Sequence, residues 1–362
     1  MTTSLDFIVN RQNLRDCRYV EHPIAATEGS VVLAIDRFAL TANNITYAVA
    51  GDMMAYWSFF PAETGWGRIP VWGFADVVES HHAGIDVGAR VYGYLPMSSH
   101  LVVQPDRVKP GSFFDAAPHR AERAAAYNQY TRVAADPAYV VTQEPLQMLL
   151  RPLFLTSFIL DDFIADNDFF GARSVILSSA SSKTSLGLAY LLRRTRAAHK
   201  TVVGLTSAAH RAFVTSTNYY DSVVTYDDLT TLDAATPTVF VDMAGNGKVR
   251  RGVHQHFGDK LRYSCLVGAT HWEGGGTDGD TLPGPKPELF FAPTILQKRT
   301  KDWGREGFDT RVADAWNAFV PAAQQWLQVV NGRGPLEVEN VYAQMLAGTT
   351  PPDIGHILSL KR

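Results

Sequence analysis

The chain has 362 residues, of which 46% are hydrophobic and 19% charged, with a net charge of -3. This is the composition of a globular protein of about two domains at ~100–200 residues each, with no positive field to draw nucleic acid or an anionic membrane. Two cysteines, Cys17 and Cys265, exclude a disulfide framework and any zinc site built on several thiolates.

The start, "MTTSLDFIVNRQNLRD", lacks the basic-then-apolar pattern of a secretory signal, and no stretch approaches the ~20 apolar residues of a membrane span. A cytoplasmic location is therefore the expectation. Residues 29–103 read as β-structure: "GSVVLAIDRFAL", "VWGFADVVES", "GARVYGY" and "SSHLVVQP" are β-branched or aromatic runs separated by Gly, Asp and Pro. From about residue 146, strand-like and helix-like segments alternate. Strands are predicted at 174–179, 201–206, 222–226, 238–242 and 261–268, and helices at 183–195, 207–217 and 248–257, the pattern of βαβ units and a parallel sheet. "HWEGGGTDGDTLPGPKPE" (271–288) is loop by composition. After it, "DTRVADAWNAFVPAAQQWLQVV" has helical spacing with a break at Pro321, "PLEVENVYAQMLAG" reads as a helix, and "GHILSL" as a final strand.

"SVILSSASSKTSLGLAYLL" (174–192) is a strand, a tight turn and a helix, the arrangement in which a helix N-terminus holds phosphate. Such turns ordinarily use glycine for close approach to a pyrophosphate. Here Ser179, Ala180, Ser181 and Ser182 stand instead. They are small, and Ser181, Ser182, Lys183 and Thr184 offer extra donors. The bland reading is a turn capped by Ser182. A triphosphate loop ending in Lys183-Thr184, with Asp242 as magnesium ligand, is disfavoured because Leu177 and Ser182 occupy its two glycine positions. The next strand ends in Thr206 and Ser207, followed by His210 and Arg211, with no carboxylate for a ribose 2′-OH. A hydroxyl with a cation suits a 2′-phosphate, which favours NADP(H) over NAD(H).

In this order, the segments resemble the medium-chain dehydrogenase/reductase superfamily, and most nearly its zinc-independent quinone and enoyl reductase branch. "ALTANNITYAVAGD" resembles its N-terminal motif, "PVWGFADVVES" and "IDVGARVYGY" its barrel strands, and "LTSFILDDF" the helix before its nucleotide domain. "SVILSSASSKTSLGLAYLL", "VVGLTSAAHRAFVTSTNYYDSVVTYDDL" and "TVFVDMAGN" resemble the Rossmann segments, and "PLEVENVYAQMLAGTTPPDIGHILSL" the closing helix and strand. The resemblance implies an α/β fold: a Rossmann parallel-sheet domain plus a GroES-like β-barrel-type domain. Residues 1–145 would form the GroES-like domain and 146–309 the Rossmann domain, with a loop excursion at 271–305 and a return at 310–362. The active cleft would lie between them. Asn43 and Asn44 stand in the first motif and no His-Glu pair in the second, so no metal is expected.

The resemblance further implies hydride transfer from NADP(H) to a small hydrophobic carbonyl or activated alkene. Tyr47 would donate a proton to the substrate oxygen, with Asn43 and Asn44 as amide donors. A core tyrosine is the competing reading. Thr156, Gly245, Val267 and Gly268 would hold the nicotinamide, and Tyr226 would border the adenosine. Met53, Met54, Tyr56, Trp57, Phe59, Phe60 and Trp66 would line an apolar pocket, or else form a satellite core or dimer surface. Lys298, Arg299, Lys301 and Arg305 read as a solvated charge run, His254 and His256 as surface histidines, and Asp161-Asp162 as a helix surface. Family members often dimerise, so a homodimer is one expectation. The alternative is an inactive reductase-like scaffold that binds an apolar ligand or protein partner.

Overall fold

The structure is a computed structural model that describes residues 2–136, 139–196, 200–267 and 282–361. It divides into two compact units, Met1–Leu149 with Gln328–Arg362, and Leu150–Leu327.

The first unit contains β1 (Thr2–Asn10), β2 (Cys17–Ile24), β3 (Val31–Leu40), α1 (Ala42–Val49), β4 (Trp66–Gly67), β5 (Pro70–Ser80), β6 (Arg90–Pro96), β7 (His100–Val103), β8 (Pro105–Lys109), β9 (Ser112–Asp115), α2 (Ala125–Asn128) and β10 (Gln129–Arg132). A three-stranded sheet runs β2-β1-β4. The long, β-branched β3 pairs antiparallel with β5 and with β7, so it anchors the larger barrel-type sheet. Its inward residues Val31, Leu33, Ile35, Phe38 and Leu40 are all buried in one core with Phe7, Val71, Tyr130 and Tyr342.

α3 (Glu144–Asp166) leads into the second unit. There, β11 (Ser174–Leu177), β12 (Thr201–Thr206), β13 (Ser222–Thr225), β14 (Thr238–Asp242), β15 (Leu261–Leu266) and β16 (Glu288–Leu289) form one parallel sheet in the order β13-β12-β11-β14-β15-β16. β11 and β14 are buried along their whole length, as parallel strands covered on both faces must be. α4 (Lys183–Arg196), α5 (Arg211–Ser216) and α6 (Gly247–Phe257) connect them. α6 begins where the Asn246 side chain accepts from the Lys248 and Val249 N–H groups, and it stops at Gly258. The strand order reverses between β11 and β14, which opens a crevice at their carboxyl ends.

α7 (Ala292–Ala323) differs from the expectation of a loop to 305: residues 292–305 are helical, with a break at Gly304, φ 72°. The helix stops at Ala323, so "QVV" opens a strand. β17 (Gln328–Arg333) pairs parallel with β18 (Ile354–Ser359), with α8 (Pro335–Ala347) between them. The return to the first unit therefore comes at Gln328 and not near 310.

Three polar groups expected on the surface are buried. Arg299 is 7% exposed and pairs with Asp162, Asp166 and Asp302; Asp161 is also buried. His254 is enclosed, its Nδ1 2.9 Å from the Pro283 carbonyl and its Nε2 2.9 Å from Ser264 Oγ. Burial pushes the His254 pKa below its ordinary 6.5, against the bond to Pro283, which favours the charged ring. The unfolded chain then takes up the proton first. His254 thus contributes full stability above about pH 6.5, and that contribution is lost as pH falls toward the folded pKa. The melting temperature should drop between pH 7.5 and 5, and His254→Gln should flatten that drop while melting lower at pH 7.5. Burial also lowers the pKa values of His100 and His119, so the slope should shrink but not vanish.

Candidate functional site

Two groups of residues carry the chemistry read from the sequence, one in each unit.

In the second unit, β11 ends in a turn built from serines. Ser179 takes φ +48°, a left-handed conformation usually left to glycine. Two ties, one to β12 and one to the segment before β13, hold it there. The Ala180 N–H donates to the Leu205 carbonyl at 3.1 Å, and the Tyr220 hydroxyl donates to the Ala180 carbonyl at 2.8 Å. Ser182 caps α4, since its Oγ accepts from the Ser185 N–H at 3.2 Å. The Ser179 N–H donates to the Tyr226 hydroxyl at 3.1 Å, and Ser181 Oγ lies 2.9 Å from His210 Nδ1. Among the described residues, no partner meets the N–H of Ser181 or Thr184.

Beneath the turn, Ser178 fastens β11 to β14. Its Oγ donates to Asp242 Oδ1 at 2.8 Å and accepts from the Met243 and Ala244 N–H groups at 2.9 and 3.0 Å. Asp242 is fully buried. It also accepts from the Gly245 N–H at 3.0 Å and lies 3.5 Å from Arg250. Burial raises its pKa, and these bonds hold the rise in check. A carboxylate so enclosed is structural and does not present itself to a magnesium ion.

The structure therefore gathers Ser181, Ser182 and Tyr226 at one turn, and adds His210, whose contact joins segments 29 residues apart. Lys183 and Thr184 open α4, both half-buried. Ser207 is half-buried and Arg211 exposed, at the start of the helical segment after β12. Gly245, at φ +65°, and Val267, whose N–H donates to the Asp242 carbonyl at 3.0 Å, follow β14 and β15. Gly268 lies outside the described residues. Thr156 Oγ1 faces back onto its own helix, 3.4 Å from the Pro152 carbonyl, whereas Ser157 Oγ donates to the Thr184 carbonyl at 2.8 Å.

In the first unit, Tyr47 lies on α1 with its ring 4.4 Å from Tyr56 and 5.9 Å from Tyr94. It is 7% exposed. Burial pushes its pKa far above the ordinary phenol value, Tyr127 adds to the rise, and Asn43 and Trp72 act against it. The phenol is thus a proton donor and not a base at neutral pH. Asn44 plays a different part from the one expected. Its Nδ2 donates to the Pro70 carbonyl at 2.8 Å, and its Oδ1 accepts from the Thr41 N–H and Oγ1 at 2.7 and 3.0 Å. It closes a capping box at the start of α1, and both ends of its amide are engaged by the surrounding backbone.

The aromatic segment is packed inward. Phe59 and Phe60 are buried with Tyr47 and Tyr94, and Tyr56 packs against them. Trp57 is clasped where a Cβ on Gly51 or Gly67 would fall 2.1 or 2.3 Å from its ring. Met53 and Met54 are exposed. Phe59, Phe60 and Tyr56 thus build a satellite core with Tyr47 and Tyr94, while Trp57 lines a cavity of about 300 Å³ whose wall also holds Arg11, Asp52, Ser58 and His119. Sequence reading missed Arg120, fully buried beneath that core, 2.7 Å from Asp115 and 4.9 Å from the Phe60 ring centre.

Among the described residues, no group of three His, Cys, Asp or Glu side chains converges as metal ligands would, and no helix is long and apolar enough to cross a membrane.

Solved structures share this fold. A putative NADPH:quinone reductase from Mesorhizobium loti matches with a TM-score of 0.64 at 10% identity, with 99% of each chain covered. CurA from Vibrio vulnificus, in complex with NADPH, gives 0.63 at 10% identity, again over 99% of each chain. The CurK enoyl reductase gives 0.56 at 10% identity, over 98% of this chain and 99% of that one. The architecture is a Rossmann parallel-sheet domain plus a GroES-like β-barrel-type domain. A comparison with curated proteins finds no match. The family described as "Protein of unknown function (DUF2855)" matches residues 38–351, and the chain belongs to it.

Proposed function

We propose that this protein is an NADP(H)-dependent oxidoreductase that reduces a small hydrophobic carbonyl or activated alkene and uses no metal. The observation that carries this reading is the turn after β11. It keeps the left-handed bend at Ser179 and opens a 14-residue helix with serine-sized side chains. The fold it shares with CurA, solved in complex with NADPH, supports the same reading.

The residues present fit a dinucleotide. The N–H groups of Ser181 and Thr184, the dipole of α4 and the Lys183 side chain would meet the diphosphate. Ser207 and Arg211 would meet the 2′-phosphate, with Gly245 and Val267 at the nicotinamide end. NADPH, when bound, supplies a hydride. Tyr47 gives a proton to the substrate oxygen as charge develops there, and the tyrosinate recovers it from solvent. Asn43 steadies that hydroxyl. The net change is addition of one hydride and one proton.

Addition of NADPH at about 100 times its dissociation constant should stabilise the protein by about 2.7 kcal/mol, read as a rise in melting temperature with quenching of tryptophan fluorescence. No response at millimolar NADPH or NADH would end the proposal. Arg211→Ala should weaken NADPH about tenfold, the loss of one charge-assisted bond, and leave NADH nearly unchanged. An equal loss for both would remove Arg211 from the 2′-phosphate.

A further inference from the structure

The cavity beside Trp57 is framed by Arg11, by the segment from Gly51 to Pro61 and by His119, all in the first unit. Its volume, about 300 Å³, lies at the lower end of those that hold small molecules. Neither Tyr47 nor Asn43 lines it. Its walls are set before any ligand arrives. Gly51 and Gly67 pin the Trp57 ring, since a Cβ on either would overlap it. Ala55 takes φ +57°, a conformation that persists only where its surroundings enforce it. Here the Ala55 carbonyl accepts from the Ser58 N–H at 3.1 Å and from Ser58 Oγ at 2.6 Å.

The Arg11 guanidinium lies 5.7 Å from the Trp57 ring centre, and its Nε donates to the Trp66 carbonyl at 2.8 Å. That bond fixes the plane of the fork. Among the described residues, no acceptor takes a hydrogen bond from the two terminal nitrogens. Asp52 stands 3.7 Å from one of them and is 78% exposed, so this pair is loose and weak. Burial lowers the His119 pKa, which leaves that ring neutral at pH 7. The cavity thus carries one oriented cation, with one carboxylate at its rim.

We propose that this cavity binds a small aromatic monocarboxylate, its carboxylate on the two terminal nitrogens of Arg11 and its ring against Trp57. A planar fork with both outer N–H edges free matches a carboxylate. One cation beside an anionic rim suits a single negative charge better than the two of phosphate. The volume equals that of about ten water molecules in the liquid, room for a molecule the size of benzoate. The site stands whether or not Tyr47 is a proton donor.

Calorimetric titration of the full chain with sodium benzoate tests it. Binding should saturate, and benzamide, of the same shape without the charge, should bind about tenfold more weakly or worse. Inorganic phosphate should also bind more weakly than benzoate. Arg11→Lys keeps the charge but loses the fork, and should weaken benzoate about tenfold. A melting curve checks that this variant folds. If it does not, Asp52→Asn decides: it removes the exposed rim carboxylate and should tighten benzoate about twofold. No saturation by about 20 mM benzoate overturns the proposal, as does equal binding of benzamide. Phosphate binding tighter than benzoate overturns the aromatic monocarboxylate as the ligand class. An affinity unmoved by the deciding substitution means that benzoate binds elsewhere, and overturns the proposal as well.

Discussion

Tyr47→Phe should lower the turnover of a quinone or enone by about 100-fold while NADPH affinity stays within about twofold. The factor is the lower end of what a positioned general acid contributes. Phe keeps the ring contacts with Tyr56 and Tyr94 and removes only the hydroxyl. The burial that raises the Tyr47 pKa keeps the proton on the oxygen until substrate charge draws it off. Tyr94→Phe is the internal control. Tyr94 is fully buried, its hydroxyl has no hydrogen-bond partner among the described residues, and its removal should leave turnover alone and raise stability slightly. Steady-state kinetics with a melting curve for each variant separates the two cases. If Tyr47→Phe turns over like the wild type, the proton comes from elsewhere, and Tyr47 is a core residue.

The second large effect is on stability. Ser178→Ala should cost about 3 kcal/mol or more, since one buried carboxylate oxygen and two buried N–H groups lose a partner at ~1–3 kcal/mol each. Partial rearrangement around the site keeps the sum below the full total. A loss of that size is a large share of the ~5–15 kcal/mol that holds a domain together. Urea unfolding, followed by the fluorescence of the second unit, measures it. Ser179→Gly is the contrasting variant. It suits φ +48° and should change stability by less than about 1 kcal/mol. If Ser178→Ala proved as mild as Ser179→Gly, the hydroxyl would not be what joins β11 to β14.

The parallel sheet was readable because its inner strands are short, largely buried and rich in Val, Leu and Phe, with helical periods between them. β11, β12, β13, β14 and β15 all fall where those runs stand. β2 was not readable, because "CRYVEHPI" has half-buried and exposed residues in turn and no apolar face to mark it. β17 was hidden for a similar reason: "QVVNGR" is mostly exposed and continues a helical pattern without a break. Of the candidate site, the serine turn and Tyr226 were legible locally. The pairing of Ser178 with Asp242 was not, because 64 residues separate the partners. Asn44 could have been placed at a helix cap, since it stands three residues after Thr41 at the head of α1. The aromatic run gave no such cue, because composition alone does not distinguish rings that line a cavity from rings that fill one.

The bond from the Ser179 amide to the Tyr226 phenol bears on how long any occupant of that turn stays. A diphosphate oxygen settling there finds the amide already engaged, so arrival is an exchange in which the phenol is displaced and little net affinity accrues at that atom. On departure the phenol closes behind the leaving group, and no bare amide is left facing water. Such a berth suits a visitor that comes and goes with each round of reaction, rather than a group held for the life of the protein.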